Sequence, residues 1–499
     1  MDRRTVLIGG LAAAFPYHVL SRSFASNPFA LGVASSLPGP NAVTLWTRLA
    51  TAPLEATGGM DPVALPVAWE LAEDEGFAKI VATGAATAQP QLAHSVRVTV
   101  DGLQPGRHYW YRFMAGDAVS MTGRTKTLPA NPDKVRFATA SCQHFEQGYF
   151  VAYDRMIEDG PDFVLHLGDY IYGVSRGDFR NHTRKDKPVS LADYRMRHAL
   201  YKTDPSLQRA HAAFPFFTVL DNHDALKDVV GTPEALAQRA AAYQAWYEHM
   251  PMAGGYTLGD SAIHAHGGVD FGSLLRLTIL DNRQFRDNED ICRDLADKDF
   301  GFTIYRPQCE PGLEAARTTL GAPQEAWLSR RLTGSQATWN AVSSTVLFSP
   351  FAMMRNGEAW HYESSWDYYP ENRKRVLADM AQASNPVMLT SDIHSNWAID
   401  IKADPANPES QTVGSEFLAT SIASGWPPPL DAPMKENMAN NPHVQHYDGS
   451  ERGYLMHDIT ARRWLTDMRV VDNVRDMNTA IRSQAKFAVE AGTPGVQRA

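Results

Sequence analysis

Phe163-Val164-Leu165-His166-Leu167-Gly168-Asp169-Tyr170-Ile171-Tyr172 runs from an apolar stretch straight into a Gly-Asp pair and two tyrosines. Its first three residues read as a buried strand, continuous rather than alternating in polarity. Three further pieces repeat the plan. Val135 to Ala140 leads into Ser141-Cys142-Gln143, and Phe214 to Leu220 leads into Asp221-Asn222-His223-Asp224. Pro386 to Thr390 leads into Ser391-Asp392-Ile393-His394-Ser395-Asn396-Trp397. In an open α/β sheet the carboxyl ends of the strands converge on one crevice. Four strand ends that deliver Cys, Asp, Tyr, Asn and His to such a crevice predict a metal site.

Each piece has its own chemistry. The Asp169 carboxylate, just past a Gly that permits a sharp turn, has two oxygens with which to bridge two cations; alone, Gly-Asp also marks an ordinary turn. Tyr172 lies one helical turn beyond if a helix starts here, which returns its phenol to the same ion. The other reading packs the tyrosines into the core, and it is preferred for Tyr170. Asn222 offers a neutral amide oxygen suited to hard cations. His223 either donates to a substrate oxygen or leaving group, or is structural. In an extended chain Asp392 and His394 share one face about 7 Å apart, a spread that reaches different ions of one cluster; the alternative is a capped helix start. Cys142, unpaired at a strand end, suits a metal-bound thiolate.

The chain has 499 residues, enough for two or three domains at about 100–200 residues each. It is 44% hydrophobic and 21% charged, with a formal charge of −9, a globular composition without the basic excess that nucleic-acid backbones require. Arg3-Arg4 precede the apolar run Val6 to Phe15, with small residues at Ser23 to Ser26. This resembles a twin-arginine export signal over residues 1–26; a soluble helix with a basic start is the alternative. The run is shorter than the roughly 20 residues a membrane span needs, and no later segment is apolar enough to span. The expected location is therefore periplasmic or secreted. Cys292 and Cys309 sit in a polar, Asp-rich loop and in an exported protein are either a disulfide or two free thiols.

Residues 27–128 alternate with period two, as in Ala42 to Arg48, Val67 to Leu71, Ser95 to Val100 and Tyr109 to Phe113, punctuated by Gly and Pro. They predict an all-β immunoglobulin- or fibronectin-like sandwich. After a boundary at Leu128 to Pro132, residues 133–475 mix short apolar strands with helical stretches at Gly148 to Glu158, Leu191 to Leu200, Pro233 to His249 and Gln324 to Leu332. This predicts an α/β body of mixed sheets flanked by helices. Met477, Ile481, Ala485 and Phe487 form a loose stripe that predicts a C-terminal helix within residues 476–499.

Taken together, Gly168-Asp169, Asp221-Asn222-His223-Asp224 and Asp392-Ile393-His394 resemble the calcineurin-like metallophosphatase pattern, and more specifically the PhoD-like alkaline phosphatases. Phe29 to Ser35, Thr44 to Leu49, Leu280 to Arg286 and Gln324 to Leu328 continue that resemblance over nearly the whole chain. The resemblance implies that Cys142, Asp169, Tyr172 and His394 hold Fe3+, and that Asp169, Asn222 and Asp392 hold Ca2+. It implies an exported hydrolase of phosphate mono- or diesters, in which a metal-bound hydroxide or oxide attacks phosphorus and His223 and Asp169 are catalytic. Arg283 and Arg286 are either phosphate-binding side chains or surface salt bridges, the second reading being preferred. Asn222 stands where the family usually has Asp, and Ser391 where it usually has Gly, so the second ion's identity stays open. The rivals are a phospholipase D-like phosphodiesterase and a non-catalytic periplasmic phosphate- or metal-binding protein.

Overall fold

A computed structural model describes residues 23–177, 179–225, 232–252, 256–288, 290–295 and 305–499. The expected export signal lies almost wholly outside them. Among the described residues no helix is long and apolar enough to cross a membrane.

The N-terminal part holds two antiparallel sheets. One comprises Val33–Gly39, Ala42–Arg48 and Ser95–Val100; the other is built on Leu65–Ala72, Ile80–Ala88 and His108–Ala115. Alternate residues of His108–Ala115 are buried, as period-two patterning requires. Val43 and Leu45 of the first sheet share a core with Val67, Leu71, Tyr111 and Phe113 of the second.

The larger part is built on two seven-stranded sheets. In the first, Lys134–Ala140, Phe163–His166 and Phe216–Thr218 are parallel. An antiparallel run of Arg452–Thr460, Arg463–Val471, Ile481–Glu490 and Thr493–Arg498 completes it. In the second, Leu275–Ile279, Trp339–Ser343, Pro386–Thr390 and Thr412–Leu418 are parallel, with antiparallel strands at both edges. Phe137, Phe163 and Leu165 of one sheet and Leu277, Trp339, Val387 and Phe417 of the other form a shared core.

Helices cover the outer faces. Ala152–Asp159, Pro205–Ala213 and Pro233–His249 contribute Met156, Leu207 and Trp246 to a core with Ala138 and Val164. Ala322–Thr333 and Pro370–Met380 contribute Leu328 and Val376 to a core with Val342 and Met388. The central strands are therefore buried on both faces, Pro386–Thr390 along its whole length, which is why they read as continuous apolar runs.

The C-terminal segment corrects the sequence reading. Ile481–Glu490 is a strand, not a helix, and Thr493–Arg498 folds back on it. Ala485, Phe487 and Val489 are buried at alternate positions against the shared core. Ile481 and Ala485, four apart, fit both a helical stripe and a period of two, and pairing along Arg463–Val471 decides between them.

Candidate metal centre

The four strand ends meet. The chain after Lys134–Ala140 places Cys142 against the loop after Phe163–His166: Cys142 N–H donates to Gly168 O (3.1 Å) and Gln143 N–H to Asp169 O (3.2 Å). That loop in turn clasps the loop after Phe216–Thr218. His223 N–H donates to Asp169 Oδ1 (3.0 Å), and Asp224 accepts from Ile171 N–H (3.0 Å) and Asp221 N–H (2.9 Å). Gly168 has φ +83°, and a Cβ there would stand 2.3 Å from Asp221 Cβ. Only glycine allows these two loops to approach so closely. Ser391 is buried and within hydrogen-bond reach of Leu167 O (2.9 Å) and Thr345 O (3.0 Å). It ties three strand ends together.

The backbone takes an uncommon conformation at the same residues. Cys142 (φ 56°), Asp169 (53°), Asp392 (78°) and His394 (45°) are all left-handed without being glycine. Each such residue costs on the order of 1–3 kcal/mol, and such strain clusters at functional sites. Asp392-Ile393-His394 is thus not the extended segment expected from the sequence. Two left-handed residues flank the buried Ile393 and turn their side chains to different neighbours. Nor does a helix follow Asp169; Tyr172 comes back through an irregular loop.

Two groups of donor atoms result. Ligand atoms of Cys142, Asp169 and His394 lie within 4.8 Å of one another, and so do those of Asp169, Asp221 and Asp392. Asp169 belongs to both. Cys142 Sγ is 3.7 Å from Asp169 Oδ2, and the Tyr172 hydroxyl is 3.0 Å from His394 Nε2. His394 Nδ1 is 2.9 Å from Gly425 O. A carbonyl only accepts, so Nδ1 carries the proton and Nε2 keeps its lone pair toward the group.

Electrostatics make the groups unsatisfied as they stand. Burial, then the charges of Asp221, Asp224 and Asp392, push the Asp169 carboxyl well above its usual range. Burial and Asp169 push the Cys142 thiol and the Tyr172 phenol up as well. Burial pushes His394 down to about 4, which keeps it neutral. A bound cation inverts this logic and favours carboxylate, thiolate and phenolate. Two acceptor-only atoms, Asp221 Oδ2 and Asn222 Oδ1, are buried with no hydrogen-bond partner among the described residues. Buried oxygens are normally satisfied, so these residues fit a cation.

Arg283 is not a surface residue. Its Nε bonds Asp221 Oδ1 and its Nη2 is 3.9 Å from Asp392 Oδ2, with the side chain only 7% exposed. Arg286 turns elsewhere, to the Tyr369 hydroxyl (3.2 Å) and Ser364 O (3.3 Å). Tyr170 is core, its hydroxyl between His211 Nε2 (2.7 Å) and Lys202 Nζ (3.1 Å). Cys292 and Cys309 form a disulfide.

Two residues at the site escaped the sequence reading. Asp221 occupies the place after its strand that Asp169 occupies after its own, and that parallel could have found it. Tyr362, whose hydroxyl bonds Asp392, comes from Glu358–Tyr362 in a separate three-stranded sheet and carries no local signal. A second cluster, His144, Glu146 and His182, also converges. There Glu146 already accepts the backbone N–H groups of Arg176, Gly177 and His182 and the Ser175 hydroxyl. It clasps the loop and has no lone pair left for an ion.

Known proteins resemble this arrangement along its length. The chain is 38% identical to alkaline phosphatase D of Bacillus subtilis (strain 168), covering 95% of this chain and 83% of that protein. A solved structure of PhoD superposes with a TM-score of 0.88 at 37% identity, over 96% of this chain and 93% of that one. The purple acid phosphatase PPD1 of yellow lupin seeds shares the fold, with a TM-score of 0.56 at 10% identity over 92% of this chain and 74% of that one. Residues 137–468 match the PhoD-like phosphatase model and residues 12–129 that of its N-terminal domain, so the chain belongs to the PhoD-like phosphatase family.

Proposed function

We propose that this protein is a phosphoric ester hydrolase whose centre is two cation sites joined by Asp169. One observation carries the reading: Asp169 belongs to two buried donor groups of different chemistry. Cys142, Tyr172, His394 and Asp169 offer anionic and imidazole donors suited to Fe3+. Asp169, Asn222, Asp392 and Asp221 offer only oxygen, which suits Ca2+. Cations bound there supply an acidified water and neutralise charge on the phosphoryl oxygens.

The protein's own groups do the rest. Gly425 O fixes the His394 tautomer. His223 N–H holds Asp169 Oδ1, while its ring stacks on Tyr172 at 4.2 Å between centroids. His223 also lines a cavity of 130 Å3 with Asn222, Lys187 and Gln238, which supports a role toward substrate oxygens or the leaving group. Arg283, held by Asp221 and near Asp392, adds positive charge beside the acidic group; its reach toward phosphate belongs to the same proposal.

Around this centre we assign residues 27–128 to an immunoglobulin- or fibronectin-like sandwich and residues 133–499 to the catalytic domain, since Ile481–Glu490 and Thr493–Arg498 belong to its first sheet. Arg3-Arg4 and the apolar run after them support twin-arginine export to the periplasm or beyond. The test is turnover of a chromogenic phosphate monoester against a diester by protein purified with its metals. Monoester turnover supports the alkaline phosphatase reading, and diester preference the phospholipase D-like one. Metals without any turnover favour a binding protein.

A further inference from the structure

Beside the centre runs a groove of about 520 Å3, lined in part by Gln147, Gly425, Trp426, Asp431, Arg452 and Arg475. Its volume suits a small organic group. The groove is joined to the centre through His394. Gly425 O accepts from His394 Nδ1 (2.9 Å), and Arg452 Nη1 donates to His394 O (2.6 Å). Gln147 Oε1 accepts from Gly425 N–H (2.8 Å), which fixes this wall from the other side.

The indole of Trp426 is half-buried and held in place. Gly449 leaves room for it, since a Cβ there would stand 2.6 Å from Trp426 Cδ1 and 2.8 Å from the Tyr447 hydroxyl. Tyr447 is itself anchored, donating to Asp431 Oδ1 (3.0 Å), and Lys435 pairs with Asp431 Oδ2 at 2.7 Å. The acid of the groove is thus largely neutralised. On the other rim Arg475 Nε donates to Gln147 O (3.3 Å), and its guanidinium stands 5.4 Å from the Phe179 ring centroid. Trp426 and Arg475 both line the groove, and an aromatic wall that is already packed suits a flat ring, because little side-chain freedom is lost when the ring stacks.

We propose that this groove is the subsite for the organic part of the phosphate ester, and that it selects a flat aromatic group held against Trp426. The inference rests on the phosphoesterase reading above. Aryl esters and nucleotides share this chemistry.

The test compares wild type, Trp426→Ala and Trp426→Tyr, each metal-loaded, on phenyl phosphate, adenosine 5′-monophosphate and ethyl phosphate. Trp426→Ala is expected to raise KM for phenyl phosphate about tenfold, the size of one stacking contact. Ethyl phosphate KM and every kcat stay within about twofold, and Trp426→Tyr restores most of the phenyl phosphate KM. Calorimetric binding of phenylphosphonate should weaken in step, with methylphosphonate unchanged. A matching KM rise for the nucleotide identifies nucleotides as a source of the ring, whereas a rise for phenyl phosphate alone identifies aryl esters. Equal KM changes for all three esters, or none, overturn the inference. Wild type that cleaves no ester overturns the phosphoesterase reading instead.

Discussion

The Tyr172 hydroxyl lies 3.0 Å from Nε2 of His394, although 222 positions separate them in the chain. The two come from the ends of strands in different sheets, and the Cys142 thiol and Asp169 carboxylate stand in the same buried place. Such convergence of a phenol, an imidazole, a thiol and a carboxyl is unfavourable without a cation, because burial opposes the charged form of each.

Asp169→Asn keeps the shape and the acceptor for His223 N–H but removes the charge shared by the two groups. Phosphoesterase kcat/KM should fall at least about 10²–10³-fold, as for loss of a transition-state stabiliser. Bound iron and calcium should fall with it. Kinetics with elemental analysis on one preparation checks both, and a variant that keeps both would contradict the role given to Asp169.

Tyr172→Phe tests the phenolate. Wild type should be violet or brown from phenolate on Fe3+, and the variant should lose that visible band while keeping its far-ultraviolet circular dichroism. The ring still packs against His144 and stacks on His223, so the fold has little reason to change. A wild-type band untouched by the substitution would place its origin elsewhere.

Gly168→Ala should be severe for its size. The added methyl meets Asp221 Cβ at 2.3 Å, and φ +83° disfavours any side chain. A loss of about 1–3 kcal/mol is expected from the backbone alone, with further loss from the displaced loop. Thermal unfolding checks it; a change under about 0.5 kcal/mol, the range of neutral surface substitutions, would contradict the close approach of the two loops.

Lys202 gives a pH prediction away from the centre. Burial pushes its ammonium down to about 7, and its Nζ sits by Trp46 and Tyr170. The unfolded chain keeps the proton to higher pH, so the destabilisation is full below about pH 7 and is relieved as pH rises toward the unfolded value. Lys202→Met should therefore be stabilised relative to wild type most strongly near pH 6–7. The difference should narrow by up to about 1.4 kcal/mol per pH unit above that. Denaturant unfolding at pH 7 and 9 measures it, and a difference independent of pH would contradict a buried, proton-releasing lysine.

The strand ends of the centre were legible because the central strands are buried on both faces and read as unbroken apolar runs. Cys142, Asp169 and His394 could be picked out because each follows such a run directly. The tail was misread because Ile481 and Ala485, four apart, satisfy two periodicities, and only pairing with Arg463–Val471 separates them. Arg283 looks like a surface arginine in its polar stretch; its burial depends on the Asp221 loop, far away in sequence. Tyr362 and the Trp426 groove are products of packing between distant segments, which no local pattern encodes.

Anomalous X-ray diffraction from crystals of the protein purified with its native metals tests the two-site centre most directly. The expected map has an iron peak coordinated by Cys142, Tyr172, His394 and Asp169. A calcium peak should share Asp169 and take oxygens from Asn222 and Asp392. A single zinc ion, or no metal touching Asp169, would contradict it.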